Sequence, residues 1–169
     1  MDILKTATDW AKAEVLSSTF FILFGVLFVL ASIGFWQLGK TDMARAYIIP
    51  ILVAGALLLT IGLGLFFTNK ARISSFAADY NQDAPAFVKS EIARAESTLI
   101  EYKNVVFTAI PLIIAACALV IMFVNKPIWR ASMITSIAML IVILLIDGTA
   151  HARIEAYNRQ LVLAEKQEK

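Results

Sequence analysis

Four apolar runs, each about twenty residues long, constrain this chain more than any other feature of it; they cover residues 16–38, 46–68, 105–124 and 128–146. A bilayer's hydrocarbon core is about 30 Å thick, so about 20 apolar helical residues cross it. Helices and closed barrels alone satisfy their backbone hydrogen bonds there. The runs therefore predict an all-α integral membrane four-helix bundle, built as two helical hairpins. Composition agrees: 60% of the 169 residues are hydrophobic, above the roughly 45–50% of soluble domains. With 15 basic and 13 acidic residues the net charge is only +2. No broad positive field is available for nucleic acid, which is not an expected partner.

Residues 1–15 carry Asp2, Lys5, Asp9, Lys12 and Glu14 among apolar positions. This lacks the short basic region and small-residue cleavage site of a secretory signal, so the first run is expected to be a retained span. Cys117, the single cysteine, lies inside the third run. It can form no intramolecular disulfide and is expected to behave as a small buried hydrophobe.

The connections are short on one side and long on the other. Gly39-Lys40-Thr41-Asp42 follows the first span, with Gly39 expected to end a helix and Asp42 to cap the next. Span two carries Pro50 in its first turns, and Gly55-x6-Gly62 puts two glycines on one face for close packing. Pro111 inside span three predicts a kink. Asn125-Lys126-Pro127 is a tight turn, and Trp129-Arg130 anchors the interface beyond it.

On the other side the helical periodicity continues past the spans, through residues 2–15, 69–104 and 147–167. Ile3, Ala7 and Trp10 share a face, as do Ile73, Phe76, Ala77 and Tyr80. Val88, Ile92, Ala95, Leu99, Tyr102 and Val106 step 4, 3, 4, 3, 4 into span three, and Ile154, Tyr157, Leu161 and Ala164 step 3, 4, 3. Asn81 to Pro85 breaks the rod between the second and third segments. Four extensions with apolar stripes are expected to pack as a coiled-coil-like bundle. Ala11-Lys12-Ala13-Glu14 matches Ala93-Arg94-Ala95-Glu96 at an offset of 82, and Ala71-Arg72-Ile73 matches Ala152-Arg153-Ile154 at 81. The chain reads either as a duplicated hairpin or as a convergent juxtamembrane pattern.

With four spans, both termini and 69–104 share a side, which holds 11 Lys and Arg against 4 in the short turns. The positive-inside bias places that side in the cytoplasm of a plasma or inner membrane.

Polar residues converge where spans meet extensions: Glu14 and Ser17, Asn69 and Lys70, Lys103 and Asn104, Asp147 and His151. Stepping the last seam backwards from Ile154 gives Ala150 and Asp147, so Asp147 is expected to face the bundle. A carboxylate there needs a partner, and Lys70 or Lys103 lies at the right depth. Asp147, His151 and Glu155 are spaced i, i+4, i+8, a spacing that can supply two metal ligands, yet one histidine is a poor start for a bundle metal site. No metal or cofactor is expected. No phosphate loop, Cys-x-x-Cys pair or nucleophile elbow is present, so enzymatic function is disfavoured.

Ala13-Glu14-Val15 before an apolar run resembles the first-helix glutamate of the small multidrug transporters, four-span proteins in which that acid binds protons and cations. The resemblance covers only these residues. Here Asp9 and Lys12 precede Glu14 and place it at the boundary, and the long extensions depart from that compact family. The leading expectation is a non-enzymatic accessory subunit or regulator that binds another membrane protein or itself. The alternatives are a small oligomeric transporter or channel with its polar site at the boundary, and a metal-dependent membrane enzyme using Asp147 and His151.

Overall fold

The computed structural model describes residues 2–167, and every element among them is helical. Helix α1 spans Ile3–Leu38, α2 Asp42–Ala46, α3 Ile48–Gln82, α4 Ala84–Glu101, α5 Ile110–Phe123 and α6 Pro127–Gln167, with a π-helical segment at Tyr102–Ala109 between α4 and α5. These form four rods of 36, 41, 40 and 40 residues, each long and apolar enough to cross a membrane. At 1.5 Å per residue even the shortest is about 54 Å long, well beyond a hydrocarbon core of about 30 Å. Each rod is therefore longer than a single crossing needs.

Local signals set the ends. Asp2 caps α1 by accepting from the Lys5 N–H at 3.0 Å. The Gly39 N–H closes α1 on the Phe35 carbonyl, with an ordinary φ of −70°. The next cap is Thr41 and not Asp42: its Oγ1 accepts from the Ala44 N–H at 3.1 Å, and Asp42 is already the first helical residue. A carboxylate there still favours the positive end of the helix dipole. Between α3 and α4 the break is the single residue Asp83, which caps α4 by accepting from the Ala86 N–H at 2.9 Å, with Pro85 in the first turn.

The kink expected at Pro111 takes another form. Proline lacks an N–H and crowds the carbonyl four residues back. Here the chain is widened over the eight residues Tyr102–Ala109, and Thr108 Oγ1 donates to the Lys103 carbonyl at 2.8 Å. Pro111 itself sits in the first turn of α5.

In the spans, α1 and α3 pack most closely. A Cβ added at Gly25 would lie 2.7 Å from Leu59 Cγ, one at Gly55 2.9 Å from Val29 Cγ2, and one at Gly62 2.9 Å from the Ile22 nitrogen. The two glycines of Gly55-x6-Gly62 thus allow the close approach their spacing predicts, and Gly25 completes it from the other side. Ser32 Oγ donates to the Ile48 carbonyl at 2.7 Å near the short-turn end. Phe21 and Leu58 meet Val142 and Ile146 of α6. Helix α5 packs on α6, with no close backbone approach to α1 or α3.

In the projecting half one cluster joins all four rods: Ile3, Ala7, Trp10 and Ala11; Phe76; Phe87, Val88 and Ala95; Ile154, Tyr157, Leu161 and Ala164. Ile73, Tyr80, Ile92, Leu99 and Tyr102 pack against it. The seams read from periodicity are the faces that meet, with one exception: Ala77 is exposed. Of the internal matches, Arg72 and Arg153 are both half-buried, whereas buried Ala11 corresponds to exposed Ala93 and half-buried Glu14 to exposed Glu96. The offset of 82 does not relate equivalent faces.

Candidate functional site

Charged and polar side chains gather where the glycine-packed spans give way to the projecting cluster. Two polar clusters cross-link the rods, one through Tyr157 and one through Arg153. On α4, Arg94 grips Glu91 with two hydrogen bonds, Nε to Oε1 at 2.9 Å and Nη2 to Oε2. Tyr157 of α6 donates its hydroxyl to the same Oε2 at 2.8 Å. The Tyr157 ring stacks on Trp10 of α1 at 5.1 Å, and the Arg94 guanidinium lies 4.3 Å over the Trp10 ring. A buried carboxylate is thus neutralised and hydrogen-bonded from two sides, which such a group requires. Although burial disfavours its charge, Arg94 is held above its ordinary pKa by Glu91. Burial, then the Glu91 charge, pushes the Tyr157 hydroxyl up.

The second cluster joins α6 to α1. Arg153 Nε donates to Glu14 Oε1 at 3.1 Å, and its Nη2 donates to Ser17 Oγ. Burial outweighs the neighbouring Arg153 and raises Glu14 above the ordinary carboxylate range. On α3, Asn69 is only 3% exposed and accepts from Arg72 Nη1 at 2.8 Å. Burial, then the Arg94 charge, lowers the Arg72 pKa.

These groups surround a cavity of about 430 Å³, with Glu14 of α1, Asn69 and Arg72 of α3, Arg94 of α4, Tyr102 of the π segment and Asp147 of α6 in its wall. That volume falls within the roughly 300–1,000 Å³ of small-molecule sites. Apolar Leu65, Val105 and Val106 line it as well. Asp147 lies one residue beyond the fourth apolar run, and burial, then the Glu14 charge, pushes its carboxyl up to about 7.

The residues expected at this boundary divide. Glu14, Asn69 and Asp147 do converge on the cavity. Lys70 and Lys103 do not pair with Asp147: among the described residues the ion pairs are Glu91–Arg94, Glu14–Arg153 and Glu155–Arg159. Lys70 is exposed, with its ammonium 5.9 Å from the Phe66 ring, and Lys103 and Asn104 are exposed on the π segment. A lysine's flexible stem lets its strongly hydrated head stay in water. His151 is not in the cavity wall; its ring meets Tyr102 and Phe107 edge-on, at 5.7 and 5.0 Å. Among the described residues no three His, Cys, Asp or Glu side chains are grouped to hold a metal.

The guanidinium groups and Glu91 were legible only indirectly. Arg72, Glu91, Arg94 and Arg153 each immediately precede a seam residue: Ile73, Ile92, Ala95 and Ile154. Such flanking positions carry the interhelical pairs of coiled coils. The repeated Ala-Arg-Ile was the available signal. No family model, curated protein or solved structure matches the chain.

Proposed function

We propose that this protein is a non-enzymatic integral membrane protein, an accessory subunit or regulator that acts by binding another membrane protein or a second copy of itself. Its seat is a plasma or inner membrane, with both termini and the charged chamber on the cytoplasmic side. One observation carries this reading: the ion pair Glu14–Arg153 and the Glu91–Arg94–Tyr157 cluster lie at one end of the bundle, and 16–38, 48–68 and 105–124 contain no charged residue. A carrier or ion path through the bundle needs polar groups in mid-membrane. The close backbone contact at Gly25, Gly55 and Gly62 also supports a static pair of spans over one that rocks. Crosslinking in native membranes, followed by purification and reciprocal tagging of the captured species, tests the reading. A partner whose activity falls when this protein is deleted is expected, or a defined homo-oligomer. A monomer that moves ions across liposomes overturns it.

The transporter reading keeps one specific support. Asp147 lines the cavity without a hydrogen bond or ion pair among the described residues, as a group that binds a cation would. Flux in proteoliposomes that Asp147→Asn abolishes would favour it. Equal flux in wild type, variant and empty vesicles removes it.

A further inference from the structure

Besides the exposed Glu101 of α4, charge matching in the chamber leaves two half-buried groups over. Glu91 is satisfied by Arg94 and Tyr157, and Glu14 by Arg153. The two are Arg72 on α3, hydrogen-bonded to the neutral Asn69, and Asp147 on α6. They stand in the wall of one cavity and form no ion pair with each other. A guanidinium carries five N–H donors, so most of those on Arg72 are available. An occupant that satisfies both walls presents an anion to α3 and a cation to α6.

The shape of the chamber says where that occupant comes from. Helices α3 and α4 pack together near their turn, with Phe76 edge-on to Phe87 at 5.4 Å. Further toward the spans, α3 makes no close backbone approach to the π segment or to α5. The cavity is therefore unsealed between these rods, on the side flanked by Leu65 and Val105, 41% and 54% exposed. From Leu65 to Arg72 is seven residues, about 10 Å along a helix axis. That distance runs from the edge of the hydrocarbon core through a headgroup layer about 5–7 Å deep. A lipid enters such a site from the side, without leaving its leaflet.

We propose that the chamber binds the phosphoethanolamine head of a membrane phospholipid, its phosphate on Arg72, its primary ammonium on Asp147, and its acyl chains leaving between α3 and α5. Arginine matches a phosphate with paired N–H donors. A primary ammonium donates hydrogen bonds to a carboxylate, which the quaternary ammonium of choline cannot do. A glycerol head offers Asp147 no cation at all. The inference needs only that the chamber sits at the bilayer surface, and it holds whether the protein serves a partner or moves a substrate.

The test uses the full-length protein in a mild detergent, offered equal amounts of phosphatidylethanolamine, phosphatidylcholine and phosphatidylglycerol of one chain composition. Bound lipid is counted by native mass spectrometry. Phosphatidylethanolamine should be retained at least about tenfold over the other two, the effect of one charge-assisted hydrogen bond. Asp147→Asn should erase that preference yet keep phosphatidylglycerol binding, and Arg72→Gln should weaken all three. Free phosphoethanolamine, titrated calorimetrically, should bind far more weakly than the lipid, and equal affinity would make a soluble zwitterion the occupant and overturn the lipid assignment. Equal retention of the three lipids by wild-type protein overturns the proposal outright, and this arm stands even if a variant does not fold. Unchanged selectivity in a folded Asp147→Asn protein overturns it too.

Discussion

Tyr157 and Glu91, 66 positions apart in the chain, meet in a 2.8 Å hydrogen bond beneath the stacked rings of Tyr157 and Trp10. Glu91 is only 7% exposed, so this bond and the Arg94 fork stand in for its lost hydration. Tyr157→Phe keeps the ring and removes the donor. It should cost about 1.5–3 kcal/mol, the usual worth of a hydrogen bond to a charged group, read as a lower thermal midpoint in detergent. An unchanged midpoint would mean that water replaces the hydroxyl.

The Arg153–Glu14 pair ties α6 to α1 where the apolar runs end. Arg153→Met should destabilise by about 1–3 kcal/mol, because it strands a half-buried carboxylate. Adding Glu14→Gln should return much of that loss. A double-mutant cycle measures the coupling, and strictly additive losses would show that the two side chains do not support each other.

The α1–α3 glycine contact is tested by size alone. Gly55→Val and Gly62→Val force a side chain against backbone only 3.0 and 2.9 Å from the added Cβ. Each should cost at least about 1–3 kcal/mol by overpacking. Gly34 and Gly64 have nothing within 4 Å of an added Cβ. Alanine at either should be neutral or stabilising by up to about 1 kcal/mol, since it is the better helix former. Equal losses at all four positions would place the contact elsewhere.

Stability should also depend on pH through Asp147. Its carboxyl is pushed up to about 7 from an ordinary 3.8 by burial and the Glu14 charge. Between those values the folded protein holds a proton that the unfolded chain has released, so stability falls as pH rises from about 4 to about 7, then levels off. Asp147→Asn should flatten this slope and raise the thermal midpoint by a few degrees at pH 8. The comparison is made without added lipid, because an ammonium bound to Asp147 would stabilise the charged form. A wild-type slope that survives in the variant assigns the titration to another group.

The last seam, stepped back from Ile154, led to Ala150 and Asp147; Ala150 is 3% exposed and Asp147 lines the cavity. Helical repeat spacing fixes the direction of a side chain over two turns, so the seam locates Asp147. Lys70 and Lys103, though at the expected depth, do not pair with Asp147, because depth along the bundle axis says nothing of azimuth. A neighbouring residue on a helix points about 100° away, which separates the exposed Lys70 from buried Asn69. The arginines are not legible for a related reason: beside a seam, a long side chain can reach into the bundle or out to water, and only its neighbours decide which.

By itself, then, the sequence determined the four apolar helices, the breaks at Gly39, Asp83 and Asn125, and the faces that pack in the projecting half. These follow from interactions within a few residues, namely backbone hydrogen bonding, capping and the 3.6-residue period. Only the tertiary structure decided that Glu14 pairs with Arg153 and Glu91 with Tyr157, leaving Arg72 and Asp147 to face one cavity. Pairing of that kind depends on the rotation of each rod about its axis and on the gap between α3 and the π segment, both set by the packing of all four rods at once.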